Sequence, residues 1–336
     1  MNFRRIATTA RRALAAPRAA LNFLGRHGAR AAAASAVAGL MLPAFSATLR
    51  PWIPHAIFAL LVLAFLRVEP AAVARRLSRP MLIVAAVAWM MAAIPLGAGL
   101  VAHAFHLETL SPQMMLALFI VTAAPPVMSA PAFAFLMGLD GALSLTVMVA
   151  CVLLTPLAAP FVAGFLLADA LPLDPLRLAM NLGGLLAGSI AVAWAVRRLA
   201  GRERIEAARS EIDGVNVILL FAFIIAAMDG VVARFMSDPM LIVAITALTF
   251  AVAFAQIAVT YLGLRGIGRA DAFTIALAAG NRNMGLMVAA MGASVPDLTW
   301  LYFALGQFPI YMLPMILKPL ARRMAAADGA PAATDR

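Results

Sequence analysis

The chain alternates long uncharged apolar runs with short polar segments. A helix that spans a bilayer needs about 20 consecutive apolar residues. Most of the runs reach that length, and the shorter ones come close once a few flanking residues are added. The pattern therefore predicts ten transmembrane helices. The runs cover residues 31–49, 51–66, 80–102, 109–139, 141–168, 178–196, 214–228, 239–264, 272–296 (with Arg282 inside it) and 298–317.

Composition and charge agree with this pattern. Hydrophobic residues make up 64% of the 336 residues and charged residues 12%, whereas soluble domains are roughly 45–50% apolar. The net charge of +11 would suit a nucleic-acid partner if the basic residues clustered on one folded surface. They follow the parity of the loops instead, so we expect no nucleic-acid partner, and membrane lipid is the expected surrounding.

The distribution of Lys and Arg predicts the orientation. Seven arginines precede the first span, four follow the second, five the sixth and two the eighth, and four Lys or Arg follow the tenth, which places 22 on one side. The other side has Arg50, Arg177 and Arg234. Because cytoplasmic loops carry the excess of basic residues, both termini are expected in the cytoplasm. We expect a multi-pass protein of a bacterial-type inner membrane.

The ten spans divide into two halves of five. The halves cover residues 31–168 and 175–320, on either side of the acidic, proline-bearing link 169–175. An odd number of spans per half makes the two halves inverted relative to each other, as in many transporters. The flanks are a basic cytosolic segment, 1–30, and a cytosolic tail, 321–336. Segment 1–30 suits either an amphipathic helix on anionic lipid or a disordered tail.

The fourth span of each half contains residues that interrupt helices. Prolines remove backbone hydrogen bonds and clash with the preceding turn, and Gly-Asn-Arg-Asn is unsuited to a lipid-facing helix. We therefore predict that both spans are broken and cross each other. Two broken helices in matching positions of inverted halves point to a substrate site. The candidate substrate-binding residues are Pro125, Pro126, Ser129, Pro131, Gly280, Asn281, Arg282 and Asn283.

Arg282 is the charge placed deepest in an apolar run. It lies eleven residues after Asp271, or about 17 Å along a helix, which is close to the middle of a bilayer. A charge at that depth costs about 2.5–3.5 kcal/mol on insertion scales and usually has a functional cause. We favour a role in binding substrate or ions. The alternative is structural: Arg282 donates hydrogen bonds to the free carbonyls of the broken helices.

Other polar residues in the spans are given structural roles. Asp229 is expected at the end of its helix, facing water, rather than beside Arg282 as its partner. Amides within membrane helices usually bond neighbouring helices, and this interpretation is preferred over a substrate pathway. The amides concerned are Asn181, Asn216, Gln256 and Gln307.

The sequence offers no metal centre and no catalytic motif. His103 and His106 lack a third ligand, and Cys151 is the only cysteine. Phosphate-binding loops, dinucleotide fingerprints and pairs of nucleophile and base are not found. The protein is therefore not expected to be an enzyme, and no cofactor is expected.

Two stretches resemble the bile acid:sodium symporter superfamily. Residues 125–160 resemble its fourth and fifth helices, with the connecting turn Leu-Asp-Gly-Ala-Leu-Ser at 139–144, and 278–286 resembles its ninth-helix crossover, with Gly280 and Asn283 in place. The resemblance implies a core domain of spans three to five and eight to ten, beside a panel domain of spans one, two, six and seven. It also implies organic anions as substrates: bile salts, sulfated steroids, pantoate or keto acids. Substrate would bind at the crossing, between core and panel.

The sequence departs from this family at the positions of its sodium ligands. The ninth-helix glutamate and glutamine are replaced by Ala278 and Arg282, and the fourth-helix Ser-Asn pair falls on Ala130 and Pro131. Sodium needs oxygen donors, and a guanidinium accepts no hydrogen bonds, so sodium coupling is not expected. The sequence predicts a secondary transporter of small or amphipathic organic anions that works by alternating access. The alternatives are an ion-independent or proton-coupled facilitator of the same fold, and a non-transporting sensor or scaffold.

Overall fold

The structure is a computed structural model that describes residues 38–68, 79–106, 111–167, 174–292 and 295–327. The basic segment 1–30, most of the link 169–175 and residues 328–336 of the tail lie outside these ranges. The regular elements within them are helices. In chain order these are α1 (Pro43–Leu49), α2 (Ile53–Arg67), α3 (Pro80–Ala88), α4 (Ile94–Ala104), α5 (Pro112–Ala123), α6 (Ala130–Leu136), α7 (Gly141–Leu167), α8 (Pro175–Ala200), α9 (Arg202–Ala207), α10 (Arg209–Ala227), α11 (Val231–Ser237), α12 (Pro239–Leu264), α13 (Arg269–Gly280), α14 (Met284–Met291), α15 (Asp297–Leu305), α16 (Gln307–Ile316) and α17 (Lys318–Ala327).

Seven helical runs in the described ranges are long and apolar enough to cross a membrane. They cover Pro43–Arg67, Pro80–Ala104, Gly141–Leu167, Pro175–Ala200, Arg209–Ser237, Pro239–Ile267 and Asp297–Ala326. The chain is therefore an all-α, multi-pass membrane protein. The two spans predicted to be broken are not among the seven, because each is divided into shorter helices.

Proline marks the start of many of these helices. Pro43, Pro80, Pro112 and Pro239 lie in the first turn, where the missing N–H costs nothing and the fixed φ suits a helix. Two of these starts are also capped by the preceding side chain. Ser111 accepts a hydrogen bond from the backbone N–H of Met114, and Asp238 accepts one from that of Leu241.

The boundary between the first two predicted spans differs from the sequence interpretation. Arg50 was expected to separate them, but the chain stays helical from Pro43 to Arg67, with a short 3₁₀ segment at Arg50–Trp52. The guanidinium of Arg50 forms an ion pair with Asp229 at 3.0 Å. An arginine that is paired in this way does not need to mark a loop. Asp229 is thus the partner of Arg50 and not of Arg282.

The chain divides into two compact units. Of the described residues, unit 1 comprises those up to Arg67 and those from Gly188 to Asp229, and unit 2 comprises the others, so that the division falls within α8. In unit 1, α10 packs against α1 and α2. The pairs Arg50–Asp229 and Arg67–Asp213, at 3.0 and 3.1 Å, join opposite ends of these elements. Because the start of one run meets the end of the other at both places, α2 and α10 run antiparallel.

Unit 2 contains the two interrupted spans. In it, α12 packs along α13, and α7 packs against α5, α6 and α13. The helical run that holds α3 and α4 contains a π-helical turn at Trp89–Ala93. The indole N–H of Trp89 donates to the hydroxyl of Thr260 in α12 at 3.1 Å. These contacts surround the region where the two interrupted spans meet.

Candidate functional site

Both predicted helix breaks are present. The first lies between α5, which ends at Ala123, and α6, which begins at Ala130. The second lies between α13, which ends at Gly280, and α14, which begins at Met284. At the first break Ala124 is extended, with a ψ of 147°, because a residue before proline is driven out of the helical region. The prediction that both spans are interrupted is confirmed.

The two breaks pair with each other. Pro126 and Arg282 form an isolated antiparallel bridge. The N–H of Val127 donates to the carbonyl of Asn281 at 2.9 Å, and the N–H of Asn283 donates to the carbonyl of Pro125 at 2.7 Å. Breaking two membrane helices leaves backbone groups without intrahelical partners, and these must be satisfied within the protein. Each break thus provides backbone hydrogen-bond partners for the other break.

The guanidinium of Arg282 lies behind this bridge and is almost completely enclosed, with 1% of the residue exposed. Its Nε donates to the carbonyl of Ala279 at 2.7 Å and to the side-chain oxygen of Gln256 at 3.1 Å. Its Nη1 donates to the carbonyl of Ala124 at 2.9 Å. Both Nη1 and Nη2 lie 3.3 Å from the carbonyl of Met90. Four oxygens from separate parts of unit 2 thus converge on one cation.

Each of the three carbonyls has lost its ordinary helical donor. Ala124 follows the last residue of α5, where carbonyls have no intrahelical partner. The donor that would reach Ala279 in a regular helix is the N–H of Asn283, which instead bonds to Pro125.

The carbonyl of Met90 loses its helical hydrogen-bond donor at the π-helical turn. The N–H of Ile94 donates to Trp89, five residues back, and Pro95 has no N–H with which to continue the pattern. The carbonyl of Met90 therefore points out of its helix and accepts from Arg282. This π-helical turn is part of the site, and the sequence interpretation did not include it. Pro95 inside the third apolar run was the signal that pointed to it.

The electrostatics of the site suit a positive charge. Ala124 and Ala279 lie at the C-terminal ends of α5 and α13, where the helix dipole is negative and stabilises cations. The hydrogen bonds of Arg282 go to neutral oxygens rather than to a carboxylate. The arrangement matches the structural alternative for Arg282, in which the guanidinium satisfies the ends of broken helices.

All eight candidate residues lie at or beside the paired breaks. Asn281 is buried and donates through Nδ2 to the carbonyl of Leu277 at 2.8 Å. Asn283 is partly exposed, and its Oδ1 accepts from the N–H of Leu286 at 3.2 Å, so it caps α14. The other six candidates likewise comprise buried and partly exposed residues. Pro125, Pro126, Gly280 and Arg282 are buried, whereas Ser129 and Pro131 are partly exposed.

The structure gives hydrogen-bond partners for three of the four amides that were assigned structural roles. Asn181 donates to the carbonyl of Ala290 at 2.8 Å, and Gln307 donates to that of Phe303 at 3.1 Å. Gln256 is different because it contacts Arg282 directly. Within the described ranges, no group of three or more His, Cys, Asp or Glu residues is placed to hold a metal ion.

Comparison with known protein families found no family whose model matches the chain. Comparison with curated proteins likewise found no match. The assignment of function therefore depends on the geometry of the site and on the resemblance of its motifs.

Proposed function

We propose that the protein is a secondary transporter of small or amphipathic organic anions, with an architecture similar to the bile acid:sodium symporter superfamily. The observation that carries this proposal is the pairing of two interrupted helices through their breaks. Discontinuous helices that meet inside a membrane protein are characteristic of transporters, where broken segments line the substrate site. A protein that only anchors or scaffolds has no comparable reason to interrupt two spans.

The grouping of the helices supports the same proposal. Unit 2 contains the third to fifth and eighth to tenth predicted spans, unit 1 contains the second and seventh, and the sixth is divided between the two units. Apart from the divided sixth span, this grouping agrees with the family's core and panel domains. In this proposal the two halves of the chain form inverted repeats, and the core carries the crossing.

Transport is tested with purified protein in proteoliposomes. We expect saturable uptake of at least one radiolabelled anion from a panel of bile salts, sulfated steroids, pantoate and keto acids, above that of protein-free liposomes. Anions that raise the melting temperature without any flux would instead identify the sensor and would contradict transport.

Coupling to sodium is not part of the proposal, because the oxygens at the paired breaks already bind the guanidinium of Arg282. Replacement of Na⁺ by K⁺ or choline is therefore expected to change the apparent substrate affinity by less than about threefold, which is under 1 kcal/mol. The measurement is the concentration dependence of uptake in each salt. A steep increase of affinity with sodium would contradict ion independence and leave transport itself intact.

Asn283 offers a test of anion contact that is separate from stability. Its side chain is partly exposed and carries N–H donors in addition to the oxygen that caps α14. Asp caps helices as well as Asn does, so Asn283→Asp keeps the cap of α14, and its melting temperature is measured beside its affinity because a carboxylate at this depth is costly. The substitution replaces the donors with a negative charge, and like charges brought together cost several kcal/mol.

We therefore expect the anion affinity of Asn283→Asp to fall by at least about tenfold. Asn283→Ser is the matched control because it keeps a capping oxygen without adding charge. Parental anion affinity in the Asp variant would show that Asn283 does not face the substrate.

A further inference from the structure

A second cationic site lies in unit 1, whereas the paired breaks belong to unit 2. Arg67 ends α2, and its Nη1 forms an ion pair with Asp213 of α10 at 3.1 Å. Arg209 lies one helical turn before Asp213 on the same side of α10. Arg197 of α8 donates to the carbonyl of Leu66 at 2.7 Å. Three arginines from three helices therefore gather at one end of unit 1.

Among the described residues, only some of the hydrogen-bond donors of the Arg67 guanidinium have an acceptor. Its Nε and Nη2 are buried and have no hydrogen-bond partner in the part of the chain that the structure describes, whereas Nη1 bonds to Asp213. Nε and Nη2 form the edge through which arginine binds phosphate or carboxylate with two parallel hydrogen bonds. An ion pair with Asp213 alone leaves that edge unsatisfied, and buried donors without acceptors are costly.

The charge at this end of unit 1 is positive overall. With Arg67, the segment 197–213 has six arginines against four acidic residues. The flanking surface of α8 is apolar and aromatic: Trp194 is 59% exposed and Leu199 is 85% exposed. The guanidinium of Arg198 lies 5.2 Å from the centre of the Trp194 ring. Tryptophan beside arginine is typical of the level of lipid headgroups.

We propose that Arg67, with Arg197 and Arg209, binds the phosphate of an anionic phospholipid at this end of unit 1. The side chain of Arg67, which is 32% exposed, turns its Nε and Nη2 edge toward two phosphate oxygens, and the acyl chains lie along the exposed apolar residues of α8. Basic groups between membrane helices are common binding places for anionic headgroups. Lipid is the assigned source of the phosphate because the arginines adjoin an apolar surface that a free anion would not use. This site is independent of the proposed transport function.

The test uses the full-length protein, delipidated in mild detergent and titrated with phosphatidylglycerol. Phosphatidylcholine with the same acyl chains and inorganic phosphate serve as alternative probes. We expect the parent to retain phosphatidylglycerol selectively in native mass spectrometry and to melt at a higher temperature when it is bound. Arg67→Lys keeps the charge but loses the two-donor edge, so the affinity should fall by about fivefold, the equivalent of about one hydrogen bond. Arg50→Lys is the matched control, because Arg50 forms an ion pair with Asp229 elsewhere in the same unit.

A second variant is expected to strengthen binding, so its result cannot be explained by misfolding. Asp213→Asn removes the carboxylate that competes for Arg67, and it should strengthen phosphatidylglycerol binding by up to about fivefold. The proposal is overturned if phosphatidylcholine binds equally well or if Arg67→Lys and Asp213→Asn both bind as the parent does. An equal effect of inorganic phosphate would assign the site to a free anion and overturn the assignment to lipid.

Discussion

Arg282→Ala is expected to lower the free energy of unfolding by about 3–5 kcal/mol, because it leaves several buried neutral acceptors without a hydrogen-bond donor. The substitution deprives three backbone carbonyls and the side chain of Gln256 of their shared donor. Each buried acceptor left unsatisfied costs about 1–3 kcal/mol. Water that enters the space left by the side chain recovers part of this loss. The measurement is the thermal or chemical denaturation of purified protein.

Two further variants of Arg282 separate charge from geometry. Arg282→Met retains much of the side-chain volume but provides no donors and leaves little room for water, so it should be the least stable of the series. Arg282→Lys retains the charge, but an ammonium group has three donors on one atom and cannot reach four oxygens in the way a planar guanidinium does. It should be intermediate in stability. Methylguanidinium at low concentration should raise the melting temperature of Arg282→Ala and not that of the parent.

The same variants decide whether Arg282 also binds substrate. If its role is structural, the fraction of Arg282→Ala that folds should bind anions with nearly parental affinity. If the guanidinium pairs with the anion, affinity should fall by roughly thirtyfold or more, the usual cost of truncating a desolvated charge pair. The enclosure of Arg282, at 1% exposure, favours the first outcome. A variant that melts and binds like the parent would contradict both roles.

The helix breaks were predictable because their causes are local. Pro125 and Pro126 remove N–H groups from the chain wherever they occur, and Gly280 and Asn281 are weak helix formers in any surroundings. The sequence distance between the two breaks did not matter, since each could be recognised separately. Their matching positions in two halves of the chain were then enough to suggest that they meet.

The partners of Arg282 were not predictable in the same way. Met90 and Ala124 are separated from Arg282 by 192 and 158 positions in sequence, and they contribute only backbone carbonyls, which every residue has. Which carbonyl is free depends on the π-helical turn at Trp89–Ala93. Pro95 marks an irregular helix there, but it does not show which side chain the freed carbonyl meets. The sequence indicated that Arg282 needed partners but contained no signal that identified them.

The charge pattern was misleading at Arg50 for a related reason. A lone arginine between two apolar runs resembles a loop, because an unpaired charge would be expensive within a helix in lipid. The structure instead pairs Arg50 with Asp229, 179 positions away, and the helical run continues through it. A charged residue whose partner is distant in sequence can therefore lie within a continuous helix, and the charge pattern alone does not reveal this.

Gly280→Ala is expected to destabilise the crossing because α13 and α12 approach too closely there for any side chain. A Cβ at position 280 would collide with Cγ1 of Ile257 and would lie 2.7 Å from its Cδ1 and 2.9 Å from the carbonyl oxygen of Ala253. The side chain of Ile257 can move, but the backbone of Ala253 cannot move without shifting α12. Overpacking of this kind typically costs about 1–3 kcal/mol, and Gly280→Val should cost more.

A shift of α12 should also weaken the hydrogen bonds of Arg282. Gly280 is two residues from Arg282, and Gln256, which accepts a hydrogen bond from Arg282, lies in α12. Gly164→Ala is the matched control: it is also helical and in unit 2, but a Cβ there meets nothing within 4 Å, and helix propensity favours alanine. We therefore expect Gly164→Ala to melt at or above the parental temperature and Gly280→Ala below it. Adding Ile257→Val to Gly280→Ala should restore only part of the loss, since valine removes only Cδ1 and the contacts with Cγ1 and with the Ala253 carbonyl remain. Equal melting of the two alanine variants would show that α12 and α13 are not held this closely.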